Sequence, residues 1–259
     1  MSEHQGAHFQ EGQGGSWIAS IFAAFQFLTI FPPVIRRAFT ERELGWSLAS
    51  YPLVGLALGG VLLGAYQGLM LWFDPLVVAA LVVVLWVVLT RALHLDGLMD
   101  TVDGLFGGWT PESRLEIMRD HQVGAFGAVA GALILLVKFA LLVATGGNFM
   151  PLLLAPLVGR WVLVLAVVAF PYARSQGKGK TIKDYSNWMN LVIASLLALL
   201  AVWLVAEWLG LVVIGATLLF VLLAAWFVQR RIPGLTGDIY GALCELSEVL
   251  ALLIFSAMM

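Results

Sequence analysis

The sequence predicts an all-α protein, a polytopic membrane helical bundle of seven or eight transmembrane helices with its active site at the cytoplasmic face. Three observations carry that expectation. Hydrophobic residues make up 61% of the 259-residue chain and charged residues 12%, where a soluble domain carries about 25% charged. Apolar runs of roughly 18–25 residues recur without the alternation of a barrel strand, the pattern of membrane-spanning helices. The connections between those runs alternate between basic and uncharged.

Residues 1–16 contain no Lys or Arg and read as a disordered tail, because a secretory signal begins with a positive segment. Residues 17–259 read as one integral-membrane catalytic domain, with spans expected at 17–33, 48–72, 76–95, 122–145, 151–170, 190–208, 210–228 and 244–258. Trp17, Trp46, Trp72, Trp188, Trp208 and Trp226 fall near span ends, as an interfacial belt does. The connections at 34–47, 96–121, 171–189 and 229–243 hold Arg36, Arg37, Arg42, Arg114, Arg119, Arg174, Lys178, Lys180, Lys183, Arg230 and Arg231. Those near Asp74, at 146–150 and at 207–210 hold neither Lys nor Arg. The positive-inside rule then puts the basic set on the cytoplasmic side and both termini outside. The net charge of −2 offers nothing to nucleic acid, and Cys244, the single cysteine, excludes an intramolecular disulfide.

The segment His94–Gly104, HLDGLMDTVDG, carries the sharpest chemical signal. Asp96, Asp100 and Asp103 stand at i, i+4 and i+7, which on a helix is a stripe at roughly 0°, 40° and −20°. Three like charges on one face repel unless a cation lies between them, and oxygen-only ligation favours Mg²⁺ or Mn²⁺ over zinc. A solvated acidic helix end is the plainer alternative, and the glycines around the stripe argue against it. On a continuous helix His94 lies roughly opposite the stripe, and only a kink near Gly97 brings it round.

Thr110 before Pro111 is a cap followed by a first-turn proline, so a short interfacial helix is expected over 111–120, ending at Arg119 and Asp120. Arg114 within it either contacts substrate or merely sets topology. The run Arg174-Ser-Gln-Gly-Lys-Gly-Lys fails as a phosphate-binding P-loop, because a glycine is needed where Arg174 stands. What remains is a loop able to approach an anion with Arg174, Lys178 and Lys180, or a basic loop drawn to anionic lipid. Asp238 precedes a helix carrying Glu245 and Glu248 at i, i+3, and acids near a span are functional candidates, although Asp238 can also be a simple cap. Arg160, in mid-span, needs a buried partner. Lys138, nearer an outer end, can snorkel to the surface and is assigned no role.

Together these residues resemble the cobalamin synthase (adenosylcobinamide-GDP ribazoletransferase) family. The resemblance rests on HLDGLMDTVDGLFGGWTPESRLEIMRD followed by VGAFG, on GRW, PYAR and GKG, on GLTGDIYGALCELSEVL, and on FLTIFPP near the start. It covers nearly the whole membrane portion in order. Met99 and Val102 stand where smaller residues are expected, and His121 and Gln122 where small polar and basic ones are.

The resemblance implies Mg²⁺ and a reaction joining adenosylcobinamide-GDP to α-ribazole or its 5′-phosphate, with release of GMP. It assigns Asp96, Asp100 and Asp103 to metal, and Asp238, Glu245 and Glu248 to a second metal or the acceptor. Arg174, Lys178 and Lys180 become candidates for the donor's phosphates. Arg114, Arg119, Asp120, Arg160 and His94 are further substrate-binding candidates. The expected partners are these two substrates and the lipid bilayer, and a homo-oligomer is compatible with the sequence. A CDP-alcohol phosphotransferase also uses spaced aspartates, but its pattern has Ala-Arg where Leu98-Met99 follows Asp96-Gly97. A cation transporter would place its acids near the bilayer midplane on several helices, not at cytoplasmic ends beside Arg and Lys.

Overall fold

Helix α8 (Phe149–Ala169) is the axis on which the others pack, with 89% of its span-length window buried. The computed structural model describes residues 16–146 and 148–258, so the expected tail over 1–16 lies, Ser16 apart, outside the described residues. In chain order the other helices are α1 (Trp17–Leu28), α2 (Glu41–Ser47), α3 (Tyr51–Leu69), α4 (Pro75–Leu89), α5 (Leu93–Gly107), α6 (Pro111–Ile117), α7 (Ala125–Ala144), α9 (Lys178–Asp184), α10 (Trp188–Gln229) and α11 (Gly237–Met258). No strand occurs among the described residues, so the all-α expectation holds.

Sequence chemistry sets several boundaries. Thr40 and Glu43 form a capping box at the start of α2, and Asp74 caps α4 ahead of Pro75. Thr110 accepts from the Ser113 amide at the start of α6, as the Thr-Pro signature predicts, although the helix stops at Ile117. Gly55 and Gly59 let α3 press onto α8. A Cβ at Gly55 would lie 2.5 Å from the Leu157 Cα, and one at Gly59 would lie 2.4 Å from the Leu153 carbonyl oxygen. Small residues four apart allow this approach where no hydrophobic force draws helices together in lipid.

Among the described residues, five helical segments are long and apolar enough to cross a membrane, or six if the bent pair α4–α5 counts as one. The expectation of seven or eight counts α1 and each half of α10 separately. The 42 residues of α10 would reach about 63 Å if straight, twice a hydrocarbon core. Instead Glu207, at φ 48°, breaks the helix. A Cβ on Gly210 would lie 2.5 Å from the Val202 carbonyl oxygen, where eight residues of continuous helix separate atoms by about 12 Å. The chain therefore doubles back, and α10 is a hairpin of two legs.

The expected span 76–95 is also corrected. Helix α4 ends at Leu89, and α5 leaves it at 86°. The elbow consists of Arg91 and Ala92, both at φ 53°, a left-handed conformation costing roughly 1–2 kcal/mol per residue. Neighbouring bonds hold it. The Arg91 guanidinium donates to the Phe27 carbonyl at 2.8 Å, and the Ile30 amide donates to the Leu89 carbonyl at 2.8 Å. The basic connections meet at this same end of the bundle. Arg114 reaches the Arg231 carbonyl at 3.3 Å, and Arg174 reaches that of Met118 at 3.3 Å.

Candidate active site

The aspartate stripe runs along α5 from open to enclosed: Asp96 is exposed, Asp100 half-buried and Asp103 buried. Asp103 accepts hydrogen bonds from the Gly124 amide on Oδ2 and the Gly127 amide on Oδ1, both at 2.8 Å. It thereby caps α7 from a different helix, satisfying amides that the first helical turn leaves without partners. Only glycine fits the notch. A Cβ at Gly124 or Gly127 would come within 2.3 Å of an Asp103 oxygen.

Beside the stripe two connections are stitched together. The Ala173 amide donates to the Leu235 carbonyl and the Leu235 amide to the Pro171 carbonyl, each at 2.8 Å, an isolated parallel bridge between Tyr172 and Leu235. The bridge sets Arg174 against Asp238, with Nη2 donating to Oδ2 at 2.8 Å. Thr236 Oγ1 donates to the same oxygen at 3.2 Å and accepts from the Ile239 amide. Burial raises the Tyr172 phenol above its ordinary value, and the Arg174 cation opposes that rise. Helices α5 and α11 touch at Gly97, where a Cβ would lie 2.7 Å from the Asp238 carbonyl oxygen. Asp100 consequently lies within electrostatic reach of Asp96, Asp238, Asp103 and Arg174.

Among the described residues, no three His, Cys, Asp or Glu side chains converge closely enough to hold a metal unaided. Both Asp103 oxygens already accept amide protons, which leaves Asp96 and Asp100 as the open carboxylates of the stripe. That donor set fits Mg²⁺, which is commonly held by one or two carboxylates plus substrate phosphates rather than by an all-protein cage.

A cavity of about 260 Å³ opens between Asp96 and Asp238. Its walls are largely apolar, with Leu28, Leu163, Val167 and Ile182 among them, and Gly179 and Ile182 of α9 border it. Lys183 anchors α9 by donating to the Val167 and Val168 carbonyls at 2.8 and 3.0 Å, and burial lowers its ammonium below the ordinary lysine value.

Glu245 and Glu248 stand apart from the stripe. Both are buried, and Lys138 Nζ bonds them together, 2.6 Å from Glu245 and closer still to Glu248. The other Glu248 oxygen pairs with fully buried Arg160, whose Nη2 lies 3.4 Å from His94 Nδ1. Lys138 therefore does not snorkel. It is 3% exposed, lies 4.4 Å from the Trp86 ring centroid and faces inward because two carboxylates await it there. Arg160 finds the carboxylate its burial requires. With each of these four charges paired inside the bundle, neither glutamate is open to a second metal and Arg160 is not open to phosphate. His94 touches both regions, since it also lines the cavity.

The remaining candidates divide. Arg114 closes its own loop, donating to the Gly108 carbonyl at 3.1 Å. Arg119 is exposed near Tyr172, and Asp120 accepts from the Gln122 amide at 3.1 Å in a local turn. Lys180 pairs with Asp184 one turn along α9. The Lys178 side chain lies outside what the structure describes. Sequence reasoning missed Tyr172, Thr236 and the Lys138 pairing. The glycines of VGAFG, three apart, were the available signal for the Asp103 notch.

Known proteins are similar to this chain in sequence over most of its length. The family model for cobalamin-5-phosphate synthase matches residues 20–256. An adenosylcobinamide-GDP ribazoletransferase of Desulfitobacterium hafniense is 44% identical over 241 residues, covering 90% of this chain and 94% of the relative. Proteins of the same name from Roseiflexus sp. and Syntrophobacter fumaroxidans are 39% and 42% identical, covering 90% and 88% of this chain and 88% and 94% of theirs. No solved structure matches. The chain belongs to the cobalamin-5-phosphate synthase family.

Proposed function

We propose that this protein is an adenosylcobinamide-GDP ribazoletransferase of cobalamin biosynthesis that works at the cytoplasmic face of a bacterial inner membrane. The observation that carries the reading is that Asp238, paired with Arg174, lines one cavity together with Asp96 of α5, with Asp100 in electrostatic reach of all three. A diphosphate-linked donor brings concentrated negative charge, and in-line transfer requires that charge to be neutralised. Gathering the basic connections at this end of the bundle supports the cytoplasmic orientation.

In this reading a hydroxyl of the α-ribazole sugar attacks the phosphorus on the cobinamide side of the diphosphate. The new P–O bond forms as the bond to GMP breaks, and GMP leaves with the bonding electrons. Asp96 or Asp100 accepts the hydroxyl proton as a positioned base. Arg174, holding Asp238 in the absence of substrate, offers its guanidinium to the phosphoryl oxygens. Asp103 keeps α5 docked on α7, so the open carboxylates stay in register. Mg²⁺ held by whichever of Asp96 and Asp100 does not take the proton would supply charge neutralisation at the diphosphate.

The test is GMP release and cobamide formation by purified protein in liposomes, given adenosylcobinamide-GDP, α-ribazole 5′-phosphate and Mg²⁺, with and without EDTA. Product is expected only with metal. Asp100→Asn is expected to abolish turnover while leaving the protein folded. Full activity of that variant at saturating Mg²⁺ would remove Asp100 from the site.

A further inference from the structure

We infer that the cavity beneath Asp96 and Asp238 is the binding site for the aromatic base of the acceptor riboside, an inference that rests on the transferase reading above. Size comes first. About 260 Å³ lies just under the roughly 300–1,000 Å³ of pockets for drug-sized ligands. It accommodates a flat bicyclic ring and excludes a corrin macrocycle with its side arms.

Chemistry narrows the choice further. The walls present Leu163 and Val167 from α8, Ile182 from α9 and Leu28 from α1, and the carboxylates Asp96 and Asp238 also line the cavity. A guanine ring carries donors and acceptors along most of its edge, whereas the polar side chains of this lining are confined to Asp96, Asp238, His94, Tyr51 and Tyr240 and the apolar remainder leaves such groups unpaired. A flat bicyclic base with a mostly apolar edge needs few such partners. The Asp238 oxygen nearest Arg174 already accepts two hydrogen bonds, from Arg174 and Thr236, which reduces what it can offer a purine.

Position agrees with size and chemistry. A base lodged among the apolar side chains leaves its attached sugar toward Asp96, the open carboxylate of α5 that also lines this cavity. The close contact of α5 and α11 at Gly97 leaves no space for a side chain there, so that wall is fixed before any ligand arrives.

The experiment measures KM for acceptor and for donor separately in liposomes, with wild type, Val167→Phe and Ile182→Ala. Neither residue belongs to the catalytic machinery. Val167→Phe puts a ring into the cavity and is expected to raise acceptor KM about tenfold or more, the scale of a methylene-sized mismatch in an apolar pocket, with donor KM unchanged. Ile182→Ala widens the part of the wall contributed by a short helix outside the spans. It is expected to shift preference toward a riboside with a bulkier aromatic base, and it decides the question if Val167→Phe does not fold. A rise in donor KM instead, or no change in either constant with both variants, overturns the inference. If wild type forms no product, the transferase reading fails on its own, and equilibrium binding of α-ribazole to the same proteins tests the pocket. Binding lost in Val167→Phe upholds the pocket, and binding that is absent or unchanged ends it.

Discussion

Replacing Lys138 with methionine should destabilise the folded protein by roughly 3–5 kcal/mol, the cost of removing one partner from a buried ion pair. The cluster contains two cations, Lys138 and Arg160, and two anions, Glu245 and Glu248, with Lys138 bonded to both carboxylates. The Lys138 and Glu245 side chains are 4% and 7% exposed, and those of Arg160 and Glu248 are fully buried. Methionine approximates the lysine stem but leaves one uncompensated negative charge where water cannot reach it. The double variant Lys138→Met/Glu245→Gln restores neutrality, keeping the Arg160–Glu248 pair, and should recover at least half of the loss. Unfolding in a denaturing-detergent titration, followed by tryptophan fluorescence, measures both, since Trp86 lies against Lys138. A single variant within about 1 kcal/mol of wild type, or a double variant less stable than the single, refutes the reasoning.

Other outcomes follow from the site. Asp103→Asn turns an NH₂ group toward one of the two glycine amides, and should cost about 1–3 kcal/mol in the same unfolding assay. Gly127→Ala should cost a similar amount through overpacking, because its Cβ meets the Met99 carbonyl oxygen at 2.7 Å as well as Asp103, while Gly60→Ala, with open space around it, should be near neutral. Arg174→Lys keeps the charge but loses the planar fork. It should lower kcat/KM about 10–100-fold, on the scale of a charge-assisted hydrogen bond, with the unfolding midpoint unmoved.

Local chemistry made much of this fold legible. The i, i+4, i+7 spacing puts the aspartates on one helix, Thr110-Pro111 starts α6, and the expected division of residues 190–228 falls close to the break at Glu207. Features that depend on distant partners were not legible. Lys138 is apolar-flanked and near an outer end, which reads as snorkelling, yet its carboxylate partner Glu245 is 107 residues away. Nothing in Arg91-Ala92 announces two left-handed residues, because neither is glycine or asparagine. The same limit applied to Asp103. Its charge suggests a ligand, but which charge meets which amide is settled only when α5 and α7 dock.

The Tyr172–Leu235 bridge has a practical consequence for mutagenesis. It joins the residues just before α9 to those just after the α10 hairpin by main-chain bonds, which no side-chain substitution at Arg174 or Asp238 removes. The two connections therefore remain neighbours when either member of the pair is changed. Activity lost in such variants reports on the chemistry of the missing group, not on loops drifting apart, and a charge-swapped pair can be assayed in an intact frame.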